Sequence, residues 1–207
     1  MINYLTYYYR KDTEPFRSLS SLTDEEAIKV MKTLADDTPF GLRFKDPVGY
    51  LQNRRESERW TREAFIAKGG KPQASFPIPM VLGSSKWMVN NAPDKKLHGE
   101  IQIPLSIFTE ADLSFTYPDS MISWWLGLEK PAGIYQPDYH GKVFTLTEIE
   151  SIIAEKGMPE EEWGKGFPTD LAPYIEAQVW RHGPLADFKL IALVQFSQER
   201  FTLPATK

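Results

Sequence analysis

Apolar and polar positions alternate most clearly just after Tyr174, where Ile175, Ala177 and Val179 interleave with Glu176, Gln178 and Trp180. Period two predicts a strand with one face toward a core and a second face carrying a carboxylate, an amide and an indole. The run from Leu190 to Phe196 is apolar on both faces apart from Gln195, which predicts a strand covered on both sides. The short connection between the runs contains Gly183 and Pro184, so the two are expected to pair as antiparallel neighbours at the centre of the fold.

Tyr4 to Arg10 predicts an opening strand, with Leu5, Tyr7 and Tyr9 on one side and Tyr4, Thr6, Tyr8 and Arg10 on the other. Thr23 with Glu26 forms a capping box ahead of Ala27, Val30, Met31 and Leu34 at helical spacing. Asp46 and Pro47 read as N-cap and first helical residue of a second helix that runs to Lys68 and stops at Gly69 and Gly70. In its middle, Arg54 with Glu58 and Glu58 with Arg62 stand four apart, which is expected to make a solvated, ion-paired face. Phe76 to Leu82 is a strand whose early part, interrupted by Pro77 and Pro79, belongs at an edge. Gly83 to Ser85 turn it into a short helix, and Glu100 to Leu105 and Leu113 to Tyr117 are further strands. Asp119 or Ser120 caps a short helix that is expected to end near Gly127. Thr145 with Glu148 caps another, whose stripe of Leu146, Ile149, Ile152 and Ile153 faces a core before Gly157 ends it. Helices weigh toward the first third and strands follow without regular alternation, so the expected fold is one α+β domain over residues 1–207, with a mainly antiparallel sheet.

Composition narrows the chemistry. A net charge of -4 and a pI near 5.5 give no global reason for non-specific nucleic-acid binding. The absence of cysteine removes disulfides, thiol nucleophiles and thiolate-bound metals. His98, His140 and His182 are scattered without a metal-ligand spacing, so no metal site is expected. No apolar run approaches a membrane span and the first residues lack a signal-peptide core, so a cytoplasmic protein without membrane partners is expected.

Glu176 is the leading candidate for chemistry. A carboxylate at a partly buried strand position is costly, so it faces solvent, pairs with a cation such as Arg181 or Arg10, or is used. The strand bearing Glu176, followed by Gly183, Pro184 and Leu185, resembles the end of ADP-ribosyltransferase-fold proteins, including bacterial DNA-modifying toxins. The order of earlier segments is similar too: Tyr9 and Arg10 on the opening strand, Met80 to Trp87, and Phe115 to Tyr117 ahead of Asp119 and Ser120. The resemblance implies a cleft for NAD or a related nucleotide lined by Tyr9, Arg10, Tyr117, Asp119 and Ser120, with Glu176 as the catalytic carboxylate of the single-glutamate branch. In that reading Tyr117 or Trp180 stacks on nicotinamide, Arg10 meets the pyrophosphate, and NAD is a substrate rather than a tightly held cofactor. The opening strand departs from the superfamily's His-x-Thr pattern, and Gln178 stands where its Arg-Ser-Glu branch has the catalytic glutamate.

The competing expectation is a non-catalytic interaction module. Trp124, Trp125 and Trp163 would then anchor a partner surface, because Trp is common among interface anchors.

Overall fold

The computed structural model describes residues 2–35, 43–90, 97–159 and 174–192. Within them the strands β1 (Tyr4–Arg10), β2 (Ile78–Leu82), β3 (His98–Pro104), β4 (Leu113–Thr116) and β5 (Glu176–Val179) form one antiparallel sheet in the order β3-β1-β2-β5-β4. The helices are α1 (Asp24–Ala35), α2 (Pro47–Ala67), α3 (Lys86–Asn90), α4 (Ser120–Glu129) and α5 (Leu146–Lys156), and the class is α+β. The two longest helices lie in the first third, with α4 and α5 interleaved among the later strands. None of the described helices is long and apolar enough to cross a membrane.

The expected caps form. Thr23 and Glu26 bond reciprocally ahead of α1, and Thr145 and Glu148 do the same ahead of α5. Asp46 accepts from the Gly49 amide at 3.0 Å, with Pro47 at the first helical position of α2. Each bond satisfies an amide that the first helical turn leaves without a partner.

Strand alternation gives the sheet two unlike faces. Leu5, Met80, Ile103, Leu113, Phe115, Ala177 and Val179 point into the main core, which α5 covers with fully buried Ile149 and partly buried Ile152 and Ile153. The opposite face carries Thr6, Ser114, Thr116, Glu176 and Gln178, all of them buried. On this side Phe65 of α2 packs against Trp180 and Val143.

Two expectations need correction. β5 has β2 and β4 as its neighbours, with Glu176 opposite Val81 on one side and Thr116 on the other. No strand begins at Leu190: residues 186–192 are helical, and residues 193–196 lie outside the described part. The reason is visible in Gly183–Leu185, a helical turn with Pro184 in its first positions, after which buried Leu185 and Ala192 and partly buried Phe188 recur at i, i+3 and i+7. A short apolar run does not by itself separate strand from helix. The helix α4 ends near Gly127 as expected, at Glu129, and is closed by Lys130 at φ 45°. Gly127 itself serves a close approach, since a Cβ there would sit 2.6 Å from the Cα of Gly141.

Pro79 is accommodated by a local edge. The β1–β2 ladder covers only Leu5 opposite Leu82 and Thr6 opposite Val81, so β2 has a partner on one side only where Pro79 sits. Beyond that point the strands part. Tyr7 and Tyr8 of β1, and Pro79 and Met80 of β2, line a cavity.

Candidate functional site

The cavity measures about 680 Å³ and lies between the polar sheet face, α2, the start of α4 and the α3 segment. Its size falls within the roughly 300–1,000 Å³ of small-molecule sites. Glu176 stands in its wall, 8% exposed.

A hydrogen-bonded chain fixes how Glu176 points. The Trp180 indole, which can only donate, bonds Ser114 Oγ at 2.9 Å. Ser114 then donates to Gln178 Oε1 at 2.8 Å. With its carbonyl so engaged, the Gln178 amide turns its nitrogen to Glu176 Oε1 and Thr116 Oγ1, each at 3.0 Å. Every member of the chain is buried, and such satisfied networks hold side chains in one geometry. Neither sequence-suggested ion pair for Glu176 forms, because Arg181 bonds Asp112 at 3.4 Å and Arg10 bonds Asp12 at 2.8 Å.

The helix α2 supplies the opposite wall. Arg54 donates from Nε to Glu58 Oε1 at 3.0 Å and to Ser20 Oγ at 3.1 Å. This pair was expected to be solvated, yet its side chains are only 17% and 4% exposed. Along α2, Leu51 is buried against α1 and Phe65 against Trp180, and between them Arg54 and Glu58 line the cavity. Burial pushes the Glu58 carboxyl up, against the opposing charge of Arg54. Burial works to lower Arg54, but the charges of Glu58 and other anionic groups, Glu176 among them, hold it above its ordinary value.

Asp119 enters from the N-terminus of α4. Its Oδ1 accepts from the amides of Met121 and Ile122, both at 3.1 Å. Burial, followed by the nearby charge of Glu176, pushes this carboxyl up to about 7. Tyr174 is raised well above the usual phenol range by burial and then by Asp119 and Glu176. Its ring lies 6.1 Å from that of Trp87, and both line the cavity. Arg17 and Arg43 complete the basic part of the lining.

Of the residues selected from sequence, the structure therefore brings Glu176, Asp119 and Ser120 into one cavity. Tyr9, Arg10 and Tyr117 do not line it. Tyr9 and Tyr117 fall on the apolar side of the sheet, where Tyr9 stacks on Tyr7 and buried Tyr117 meets Tyr139 edge-on at 4.7 Å. Arg10 sits at the far end of β1 beside Asp12. Trp180 is also absent from the lining, fully buried against Phe65. The Met80 to Trp87 segment, which the resemblance placed at the cleft, contributes Met80, Val81 and Trp87 to the lining. Arg17, Arg43, Arg54, Glu58, Tyr8 and Tyr174 were not singled out as ligand contacts, and of these only Tyr8 carried a legible signal, sharing strand parity with Thr6.

On α4, Trp125 and Leu128 are 44% and 61% exposed, and Trp163 lies outside the described residues. Among the described residues no group of three His, Asp or Glu is arranged to hold a metal ion. Comparison with protein-family models, with curated proteins and with solved structures gave no match.

Proposed function

We propose that the cavity binds NAD or a related nucleotide and that Glu176 promotes cleavage of its nicotinamide–ribose bond, in the manner of an ADP-ribosyltransferase or NAD glycohydrolase. The observation that carries this reading is a carboxylate oriented by Gln178 inside a cavity that also holds arginines and an aromatic pair. As the C1′–N bond breaks, nicotinamide leaves with the bonding electrons and positive charge develops on the ribosyl ring. A fixed carboxylate facing that charge, or accepting from the 2′-hydroxyl, favours the transition state over the ground state. Arg43 and Arg54 take the role of pyrophosphate partners that the resemblance implied for Arg10, and Trp87 with Tyr174 replaces Tyr117 as the stacking surface. The acceptor is water or another nucleophile, and the reading takes the protein to act in the cytoplasm.

A ligand that binds only the folded state raises the melting temperature once its concentration exceeds its Kd. Thermal shift and calorimetry with NAD, ADP-ribose and nicotinamide are therefore the direct test. Stabilisation by NAD or ADP-ribose supports the reading, and no response at millimolar ligand removes it. In that event the exposed Trp125 and Leu128, three apart on α4, favour the interaction-module reading.

A further inference from the structure

Asp119 caps α4 through a single carboxyl oxygen. Both capping amides converge on Oδ1, and no hydrogen bond to Oδ2 occurs among the described residues. The carboxyl is thus locked in orientation by one oxygen while the other belongs to a residue of the cavity wall that contains Glu176. The charges acting on it are those of Glu176 within β5 and Arg43 ahead of α2, Tyr174 lies beside β5 within reach of its charge, and Arg17 together with Tyr50, Arg54 and Glu58 of α2 shares the cavity lining. A cap that served the helix alone would gain nothing from lying in a cavity beside a second carboxylate, where the like charge opposes its ionisation.

We propose that Asp119 is a second catalytic group of this cavity, whose Oδ2 removes the proton from the nucleophile that attacks the ribosyl carbon. The inference rests on the nucleotide reading above. The step balances: the nucleophile's oxygen or nitrogen bonds C1′, its proton passes to Oδ2, and nicotinamide departs with the electron pair of the C1′–N bond. Glu176 and Asp119 then divide the work, one carboxylate facing the developing cation and the other accepting a proton. The elevation of Asp119 to about 7 suits proton transfer near neutrality.

The test compares wild type with Asp119→Asn and Asp119→Ser. Asn and Ser cap helices about as well as Asp, so the fold is expected to persist in at least one variant. Binding of NAD by calorimetry should change less than about threefold, while nicotinamide release should fall by about 10²–10⁴-fold, the usual range for loss of a general base. In wild type the rate should rise with pH through about 7, and the variants should lose that limb. Azide, a nucleophile that needs no deprotonation, should restore turnover in the variants. Variants that keep the wild-type rate and pH profile, or that azide fails to rescue, would overturn the assignment of a base. If those variants are normal while Glu176→Gln abolishes turnover, only the role of Asp119 falls. If wild type neither binds NAD nor releases nicotinamide, the nucleotide reading falls and Asp119 with it.

Discussion

Gln178 donates to Glu176 across 3.0 Å, and its own orientation is dictated from behind by Ser114 and the Trp180 indole. The carboxylate is therefore positioned by the sheet itself rather than by a loop. Replacing Gln178 by Ala should strand Thr116 and Glu176 in a buried setting and leave Ser114 with the Trp180 indole alone. Each lost partner costs about 1–3 kcal/mol, so the melting temperature should drop by several degrees. Chemical denaturation checks this, and an unchanged midpoint would mean that the network is not closed in solution.

Asp119 predicts a pH dependence of stability. Its folded value of about 7 lies above the ordinary 3.8, so the neutral form is favoured by folding. That contribution is complete below about 4 and is lost as pH rises through about 7, at no more than about 1.4 kcal/mol per pH unit. His140 has the opposite sign: burial depresses it from 6.5 to about 4, so its contribution is lost as pH falls across that interval. The difference between wild type and Asp119→Asn cancels His140 and isolates Asp119. Wild type should lose stability relative to the variant between about pH 4 and 7. A flat difference would contradict the shift.

The Arg54–Glu58 pair predicts a double-mutant cycle. Arg54→Met leaves a buried carboxylate uncompensated and should cost about 3 kcal/mol, whereas the Arg54→Met, Glu58→Met double variant should recover most of that loss. Additive effects by urea denaturation would mean the two side chains do not interact. The double variant should also bind ADP-ribose more weakly, because the proposed pyrophosphate partner is gone.

Gly127 anchors α4 and so the Asp119 end of the cavity. Alanine is normally better than glycine inside a helix by about 1 kcal/mol, but here its Cβ would meet the Gly141 backbone at 2.6 Å. Gly127→Ala should therefore destabilise, by about 1–3 kcal/mol, while Gly183→Ala, whose Cβ would meet nothing within 4 Å, should be close to neutral. Paired thermal melts separate the two.

Much of this arrangement was legible where one residue's parity or spacing decides its environment. The alternation around Glu176 defined a strand with an acid, an amide and an indole on one face, and those three form the network described above. The same parity puts Tyr9 and Tyr117 on the apolar side, so their assignment to the cleft conflicted with the alternation of their own strands. Arg54 and Glu58 were not legible as cavity residues, because an i,i+4 ion pair looks alike whether its helix face meets water or a sheet. The Leu190 segment differs for a related reason: apolar continuity carries no period, and Pro184, read as part of a strand connection, opens a helical turn.

The most direct measurement is nicotinamide release from NAD by wild type and by Glu176→Gln, recorded beside their melting curves. Gln keeps the size of the side chain but removes the charge that would face the ribosyl cation. The account predicts turnover in wild type, a loss of about 10²-fold or more in the variant, and similar melting temperatures. Equal turnover in both proteins, or a variant that loses stability because Arg54 and its neighbours needed the charge of Glu176, would contradict it.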